Sequence, residues 1–265
     1  MLEKLGILIR YIKYLKKAKT KHGIHSPFVY DFITKVMCDK THYVSYKKVE
    51  DHRKRLLHNN NVVEVVDFGA GAGNTGYKTS FERVKDIARK KSISPKQGQL
   101  LHRIVKYFKP EIILEMGTSL GVSSIYQVSS FHDFLFIGME GCATTASIAN
   151  QSIEKFLDDK NFSLVIGDFN IMLPGVLEKL NKLDYAFIDG NHAYEPTISY
   201  FMKLLPYAQA NSVFIFHDIY WSKGMEAAWN EIKDNPKVTI TIDLFYMGII
   251  FFRQGIPKQN FILRF

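Results

Sequence analysis

The sequence has few cysteines and no long apolar run. Cys38 and Cys142 are its only cysteines, so a disulfide framework is excluded by number. No secretory signature is present either, and we therefore expect reduced thiols in a cytoplasmic protein. No uninterrupted apolar stretch approaches the roughly 20 residues of a membrane-spanning helix, so we expect no span. Internal repeats and low-complexity tracts are also missing.

The hydrophobic content, 46% of 265 residues, is enough for a full core. It fits one large domain, or a domain that carries an N-terminal extension. The net charge of +9 comes from residues 1–55, which contain 14 Lys and Arg against 5 Asp and Glu. A solvated basic helix face is the common reason for such asymmetry, and polyanion docking is the alternative.

The first 92 residues are predicted to be mainly helical. Residues 2–19 place five aliphatic residues at helical spacing among lysines, namely Leu5, Leu8, Ile9, Ile12 and Leu15. This pattern is typical of a basic amphipathic helix that needs a partner surface. His25-Ser26-Pro27 predicts the start of a second helix, and residues 80–91 have a helix-like pattern.

Five later segments each end an apolar run on an acid. The acids are Glu115, Glu140, Asp168, Asp189 and Asp218, at intervals of 21 to 29 residues. This spacing predicts strand–helix–strand units whose carboxylates line up along the C-terminal edge of a parallel sheet. Open α/β sheets bind ligands at that edge, so the acids outline a small-molecule site. Residues 238–253 then predict an antiparallel hairpin at one edge of the sheet.

Two glycine-rich segments are candidates for a cofactor loop. Gly71–Gly76 matches GxGxxG, but no strand ending in an acid follows about 20 residues later, which favours a simple turn over a phosphate or cofactor site. Gly117 and Gly121 follow the strand that ends at Glu115, and Glu140 with Gly141 comes 25 residues after that acid. Open backbone here, with free N–H groups at a helix start, favours a nucleoside with a small anionic tail.

At this point the residues resemble a known family, the class I S-adenosylmethionine-dependent methyltransferases. LEMGTSLGVSS is similar to their first motif and MEG to their second, over about residues 93–253. The resemblance implies a doubly wound, seven-stranded α/β sheet of Rossmann-like type with its last strand antiparallel. It also implies a methyltransferase domain at residues 93–265, after the helical extension at residues 1–92.

Within that class, three groups are similar. KQGQLLHRIV before LEMGTSLG resembles catechol-type and caffeoyl-CoA-type O-methyltransferases, and IDGNHAYEPT with FHDI resembles the macrocin and sugar O-methyltransferases. The HGIHSPFVYDF opening resembles an uncharacterised Bacteroidetes-type set. These resemblances imply methyl transfer to an oxygen of a small molecule or sugar.

The family resemblance implies a role for each site residue. The methionine part of the cofactor would contact Glu115, Gly117, Thr118, Ser119, Gly121 and Ser123. The ribose would contact Glu140 and Gly141, the adenine Asp168 and Phe169, and Asp189 would belong both to this set and to the acceptor site. Asp189, His192 and Asp218 are the candidate catalytic residues, with His192 the preferred base.

A divalent cation, Mg or Mn, is a further candidate cofactor, with Asp189, His217 and Asp218 as ligands. The chain departs from the related metal sites, since Ile219 and His217 stand where those families have an asparagine or an aspartate. Tyr194, Tyr220 and Trp221 are either walls of an acceptor pocket or ordinary packing.

Three rival functions remain open. An RNA or protein methyltransferase would dock through the basic N-terminus, although nucleic acid is the less favoured partner. An NAD(P)-dependent oxidoreductase would use Gly71–Gly76, and a catalytically silent protein would keep only the nucleoside pocket. A homodimer is also considered.

Overall fold

The computed structural model describes residues 2–69, 77–131, 133–157 and 161–265, with the backbone alone for residues 2–4. The predicted motif Gly71–Gly76 lies outside the described residues. The helices are α1 (Leu2–Lys17), α2 (Pro27–Phe32), α3 (Val44–Leu57), α4 (Val84–Lys91), α5 (Pro95–Phe108), α6 (Val122–Val128), α7 (Ala143–Ile153), α8 (Phe169–Leu177), α9 (Tyr194–Leu204) and α10 (Lys223–Asp234). Among the described residues, no helix is long and apolar enough to cross a membrane.

The strands confirm the predicted α/β class. They are β1 (Val62–Asp67), β2 (Lys78–Arg83), β3 (Ile112–Met116), β4 (Leu135–Glu140), β5 (Phe162–Ile166), β6 (Leu183–Ile188), β7 (Ala208–His217), β8 (Ile240–Asp243), β9 (Met247–Phe251) and β10 (Gln259–Ile262). Eight of them follow the order β10-β8-β9-β7-β6-β3-β4-β5 in a mainly parallel sheet, in which β9 is antiparallel to both of its neighbours. Strands β3 to β9 match the predicted seven, and β10 is an added edge strand.

One local prediction was wrong. The helix-like stretch at residues 80–91 begins as strand, because Lys78–Arg83 pairs antiparallel with Val62–Asp67 before α4 starts. Cross-strand pairing outweighs the helix pattern here, as tertiary context often does for short segments.

Contacts divide the chain into two compact units. The first comprises Met1–Tyr30 with Leu173–Phe265, and the second comprises Asp31–Met172. In the first unit, β6 and β7 are parallel, and β10 pairs in parallel with β8. Helix α1 is attached to this unit by the ion pair of Arg10 with Glu226 and by the Tyr14 hydroxyl, which donates to the Leu263 carbonyl.

In the second unit, β3, β4 and β5 are parallel neighbours. Strand β1 contacts the start of α7, where the Val66 N–H donates to the Cys142 sulfur at 3.4 Å. Helix α5 starts at a capping box formed by Ser94 and Gln97, with Pro95 in its first turn. The first contact joins β1 to α7 within this unit, and the second fixes where α5 begins.

Gly98 in α5 offers a stability test. A Cβ at this position would lie 2.3 Å from the Tyr126 ring, whereas a Cβ at Gly175 in α8 would meet nothing within 4 Å. We expect Gly98→Ala to lower the free energy of unfolding by about 1–3 kcal/mol through overpacking. Gly175→Ala, the control, should raise it by roughly 0.5–1 kcal/mol. Chemical denaturation measures both free energies of unfolding. A Gly98→Ala variant with the stability of the parent would contradict the close packing.

Candidate active site

The loop between β3 and α6 has an unusual backbone. Gly117, Ser119 and Gly121 have φ angles of 97°, 50° and 82°, all in the left-handed region. The N–H groups of Gly117 and Thr118 donate to the Met139 carbonyl at 2.9 and 3.1 Å. The loop is therefore fixed against the end of β4, and its shape depends on glycine.

Gly121 has a second reason to be glycine. A Cβ there would lie 3.2 Å from the Ala149 Cα in α7. Its small size thus serves the packing of two helices as well as the turn. The expectation from sequence, close approach of a ligand, is not needed to explain this residue.

Glu140, at the end of β4, faces this loop. Its Oε2 accepts from the Ser119 N–H at 2.7 Å, and its Oε1 accepts from the Cys142 N–H at 3.0 Å and the Thr145 hydroxyl at 3.2 Å. A carboxylate has about four acceptor positions, so these three donors leave capacity for a ligand hydroxyl. The side chain is half-buried rather than enclosed.

Glu115 is placed differently from the sequence expectation of direct cofactor contact. It is fully buried, and it accepts hydrogen bonds from the Ser124 hydroxyl and, at 2.7 Å, from Gln127 Nε2. Both donors belong to α6, so Glu115 joins the end of β3 to the helix that follows the loop. Thr118 and Ser123, also expected at the cofactor, are buried as well.

Asp168 lies next to Glu140 through the backbone. The Gly167 N–H donates to the Glu140 carbonyl at 3.0 Å. The Asp168 carboxylate accepts from the Asn170 N–H at 2.7 Å, which caps the start of α8. Phe169 is buried in the first turn of this helix. The structure thus brings the glycine loop, Glu140 and Asp168 together, and it gives Asp168 a capping role as well.

Phe68 is a site residue that no sequence pattern indicates. It follows β1, is half-buried, and its Cδ2 lies 2.8 Å from where a Cβ of Gly141 would be. An aromatic ring therefore covers the residue after Glu140. Residues 62–68 looked only like a strand leading into a glycine-rich turn, and no local pattern indicates which distant glycine the ring contacts.

A second cluster, in the other unit, lies at the ends of β6 and β7. His217 Nδ1 is 2.8 Å from Asp189 Oδ1 and 3.7 Å from Asp218 Oδ2. His192 Nε2 is 3.5 Å from the same Asp189 oxygen. Asp218 and Asn191 both have left-handed backbones, with φ of 54° and 49°, a strained conformation typical of functional turns. The four predicted acceptor-site groups thus form one cluster.

The charges in this cluster are strongly coupled. Burial alone would lower the pKa of His217, but the charge and hydrogen bond of Asp189, with the charge of Asp218, outweigh it and raise the pKa to about 9. Burial, with repulsion from Asp189, raises the pKa of Asp218 despite the nearby histidines. At neutral pH His217 is therefore a buried cation held by Asp189.

The predicted metal set does not fit this arrangement. Within the described ranges, no group of three or more His, Cys, Asp or Glu is placed to hold a metal ion. His217 Nδ1 and Asp189 Oδ1 lie 2.8 Å apart, so these two groups contact each other directly rather than surround a shared point. Instead, the carboxylates of Asp189 and Asp218 pair with the positive charge of His217.

The aromatic side chains of this unit mostly pack. The Tyr220 hydroxyl donates to Asp243 at 2.6 Å, and its ring stacks on Phe245. The Tyr194 hydroxyl donates to Glu231. Trp221 alone of the predicted trio is strongly exposed. These contacts therefore favour ordinary packing over a pocket wall made of all three side chains.

Comparisons with known proteins identify a methyltransferase domain within the chain. Residues 114–219 match the model of a methyltransferase domain. No curated protein matches the sequence.

Three similar solved structures are described as methyltransferases. An O-methyltransferase from Bacillus cereus in complex with SAH is 16% identical with a TM-score of 0.57, over 84% of this chain and 97% of that one. TomG from Streptomyces achromogenes, an O-methyltransferase involved in tomaymycin synthesis and in complex with SAM, is 16% identical with a TM-score of 0.56, over 85% and 95%. SAH-bound PaMTH1 from Podospora anserina is 12% identical with a TM-score of 0.59, over 87% and 98%. Together, these comparisons show a methyltransferase domain at residues 114–219 and the Rossmann-like fold of methyltransferases over most of the chain.

Proposed function

We propose that the chain transfers a methyl group from S-adenosylmethionine to a hydroxyl oxygen of a small molecule or sugar. The observation that carries the proposal is Glu140, a half-buried carboxylate aimed at a glycine loop with acceptor capacity left. Two similar structures, those from Bacillus cereus and Streptomyces achromogenes, are described as O-methyltransferases and contain SAH or SAM.

The second unit supplies the cofactor residues in this proposal. Glu140 accepts hydrogen bonds from the ribose hydroxyls, and the backbone of Gly117–Gly121 borders the methionine part. Glu115 supports that loop without contacting the cofactor, since its carboxylate accepts hydrogen bonds from Ser124 and Gln127. Asp168 and Phe169 are assigned to the adenine, and Phe68 covers Gly141, the residue after Glu140. When bound, the cofactor supplies an electrophilic methyl group on a sulfonium.

The cluster at Asp189 supplies the acceptor residues. In the transfer, an oxygen–methyl bond forms as the sulfur–methyl bond breaks, the sulfonium becomes a neutral thioether, and the hydroxyl proton must leave. His217 cannot take that proton at neutral pH because its pKa is about 9. His192 is the candidate base, since its side chain is 27% exposed and Asp189 can stabilise the imidazolium that forms. Asp218 completes the acceptor set.

No step in this proposal uses a metal. In the proposal, the His217 cation, held by Asp189, stabilises negative charge on the acceptor oxygen. We assign the first 92 residues to substrate selection, as extensions at a sheet edge vary with function.

The proposal is tested by ligand titration and a transfer assay. We expect calorimetry to detect binding of S-adenosylhomocysteine and none of NADH. With radiolabelled S-adenosylmethionine and a set of hydroxylated small molecules and sugars, we expect release of S-adenosylhomocysteine with at least one acceptor. EDTA should not change the rate of this release. Binding of NADH alone would contradict the proposal and favour an oxidoreductase. Nucleoside binding without release on any acceptor would favour a silent binding protein.

A further inference from the structure

Helix α1 exposes a continuous aliphatic face. Five side chains that share one side of the helix are 36% to 54% exposed, namely Leu5, Leu8, Ile9, Ile12 and Leu15. Residues at i, i+3, i+4 and i+7 form a stripe on a helix, so these side chains make one patch rather than scattered contacts. Exposed apolar patches of this kind mark interaction surfaces.

The opposite face holds the helix in place. Tyr14 is buried, and the rings of Tyr11 and Tyr14 pack against Phe245 at 4.8 and 5.4 Å between centroids. Arg10 pairs with Glu226 at 3.0 Å. Because these contacts fix the rotation of α1, the aliphatic face is turned to solvent by the fold itself.

The charge around this face has one sign. Residues 1–30 contain seven Lys and Arg and a single acid, Glu3. Lys13, Lys16 and Lys17 are exposed on α1, and Lys16 follows Ile12 by one turn on the same side of the helix. Docking of a second copy through the same face would bring two strongly basic segments together with almost no acid to offset them.

An anionic lipid surface matches both properties. A helix with a basic polar face and an exposed aliphatic face lies in the plane of the membrane interface, with its apolar side chains among the acyl chains and its lysines at the headgroups. Near-surface lysines are attracted to the negative potential of such a leaflet. We propose that α1 is an interfacial helix that docks the chain on anionic lipid bilayers without crossing them.

Vesicle flotation tests the proposal with the full chain. We expect binding to vesicles of phosphatidylcholine with phosphatidylglycerol, and at least about tenfold weaker binding to phosphatidylcholine alone. Leu8→Gln with Ile12→Gln keeps good helix formers and should weaken binding at least about tenfold. Lys13→Gln with Lys16→Gln should weaken it about 30-fold at low salt.

A matched control separates binding through this face from nonspecific hydrophobic binding. Val44 and Ile171 are also exposed aliphatic residues, but lie elsewhere, and Val44→Gln with Ile171→Gln should bind vesicles as the parent does. Equal binding by the Leu8/Ile12 variant would overturn the proposal, as would a parent chain that does not float. A concentration-dependent dimer that this variant abolishes, without vesicle binding, would assign the face to a second copy instead. Circular dichroism and thermal melting confirm that each variant is folded.

Discussion

Replacing Glu140 by Gln should weaken binding of S-adenosylhomocysteine by about 100-fold. Hydrogen bonds to a charged group contribute roughly 1.5–3 kcal/mol each, and a carboxylate that receives two ribose hydroxyls loses much of that when it becomes a neutral amide. The amide also presents a donor where the Ser119 N–H already donates at 2.7 Å. Isothermal titration calorimetry measures the loss directly.

The matched control for this prediction is Glu178→Gln. Glu178 is exposed beyond the end of α8, so its variant should bind the nucleoside as tightly as the parent. The Glu140 variant must also stay folded, because its loss of affinity has meaning only if its melting temperature is close to that of the parent. A folded Glu140→Gln with parental affinity would remove Glu140 from the cofactor site.

Replacing Asp189 by Asn should lower the pKa of His217 from about 9 to below its ordinary value of 6.5. Burial favours the neutral imidazole, and the Asp189 carboxylate, at 2.8 Å, is the main group that opposes it. Without that charge, the desolvation cost dominates. NMR titration of the histidine ring signals in the parent and in the variant reports the change.

The same substitution changes how stability depends on pH. In the parent, the folded-state pKa of His217 lies above the unfolded value of 6.5, so its contribution is complete below about pH 6.5 and is lost as the pH rises through about 9. The shift corresponds to roughly 3 kcal/mol at about 1.4 kcal/mol per unit. We therefore expect the melting temperature of the parent to fall between pH 6 and pH 10, by on the order of 10 °C. The melting temperature of Asp189→Asn should not show this fall.

Asp234→Asn serves as the control, since Asp234 is an exposed acid at the end of α10. This variant should keep the pH profile of the parent. A parental profile in Asp189→Asn would show that the Asp189–His217 pair does not govern the titration, and the assignment of His192 as base would lose its support.

The sequence predicted the sheet well because its signals are local. Each buried strand is a short apolar run that ends on an acid, and such runs need no knowledge of the rest of the chain. Strand β2 was missed because Lys78–Arg83 is polar and is a strand only by pairing with β1. Strand β10 was missed because four residues at an edge carry little pattern.

The sequence predicted which strand ends carry the candidate residues, but not all the contacts of those residues. The clusters at Glu140 and Asp189 follow from strand ends, which the sequence places. Whether an acid faces a ligand or the protein depends on long-range contacts, and so the burial of Glu115 against Gln127 could not be foreseen. For the same reason the sequence offered His217 only as a candidate metal ligand and could not show that Asp189 raises its pKa.

The most direct measurement is a crystal structure of the chain grown with S-adenosylhomocysteine. The account predicts both ribose hydroxyls within hydrogen-bonding distance of the Glu140 carboxylate, with the homocysteine part along Gly117–Gly121. A nucleoside bound elsewhere, or a Glu140 still engaged only with Ser119, Cys142 and Thr145, would contradict it.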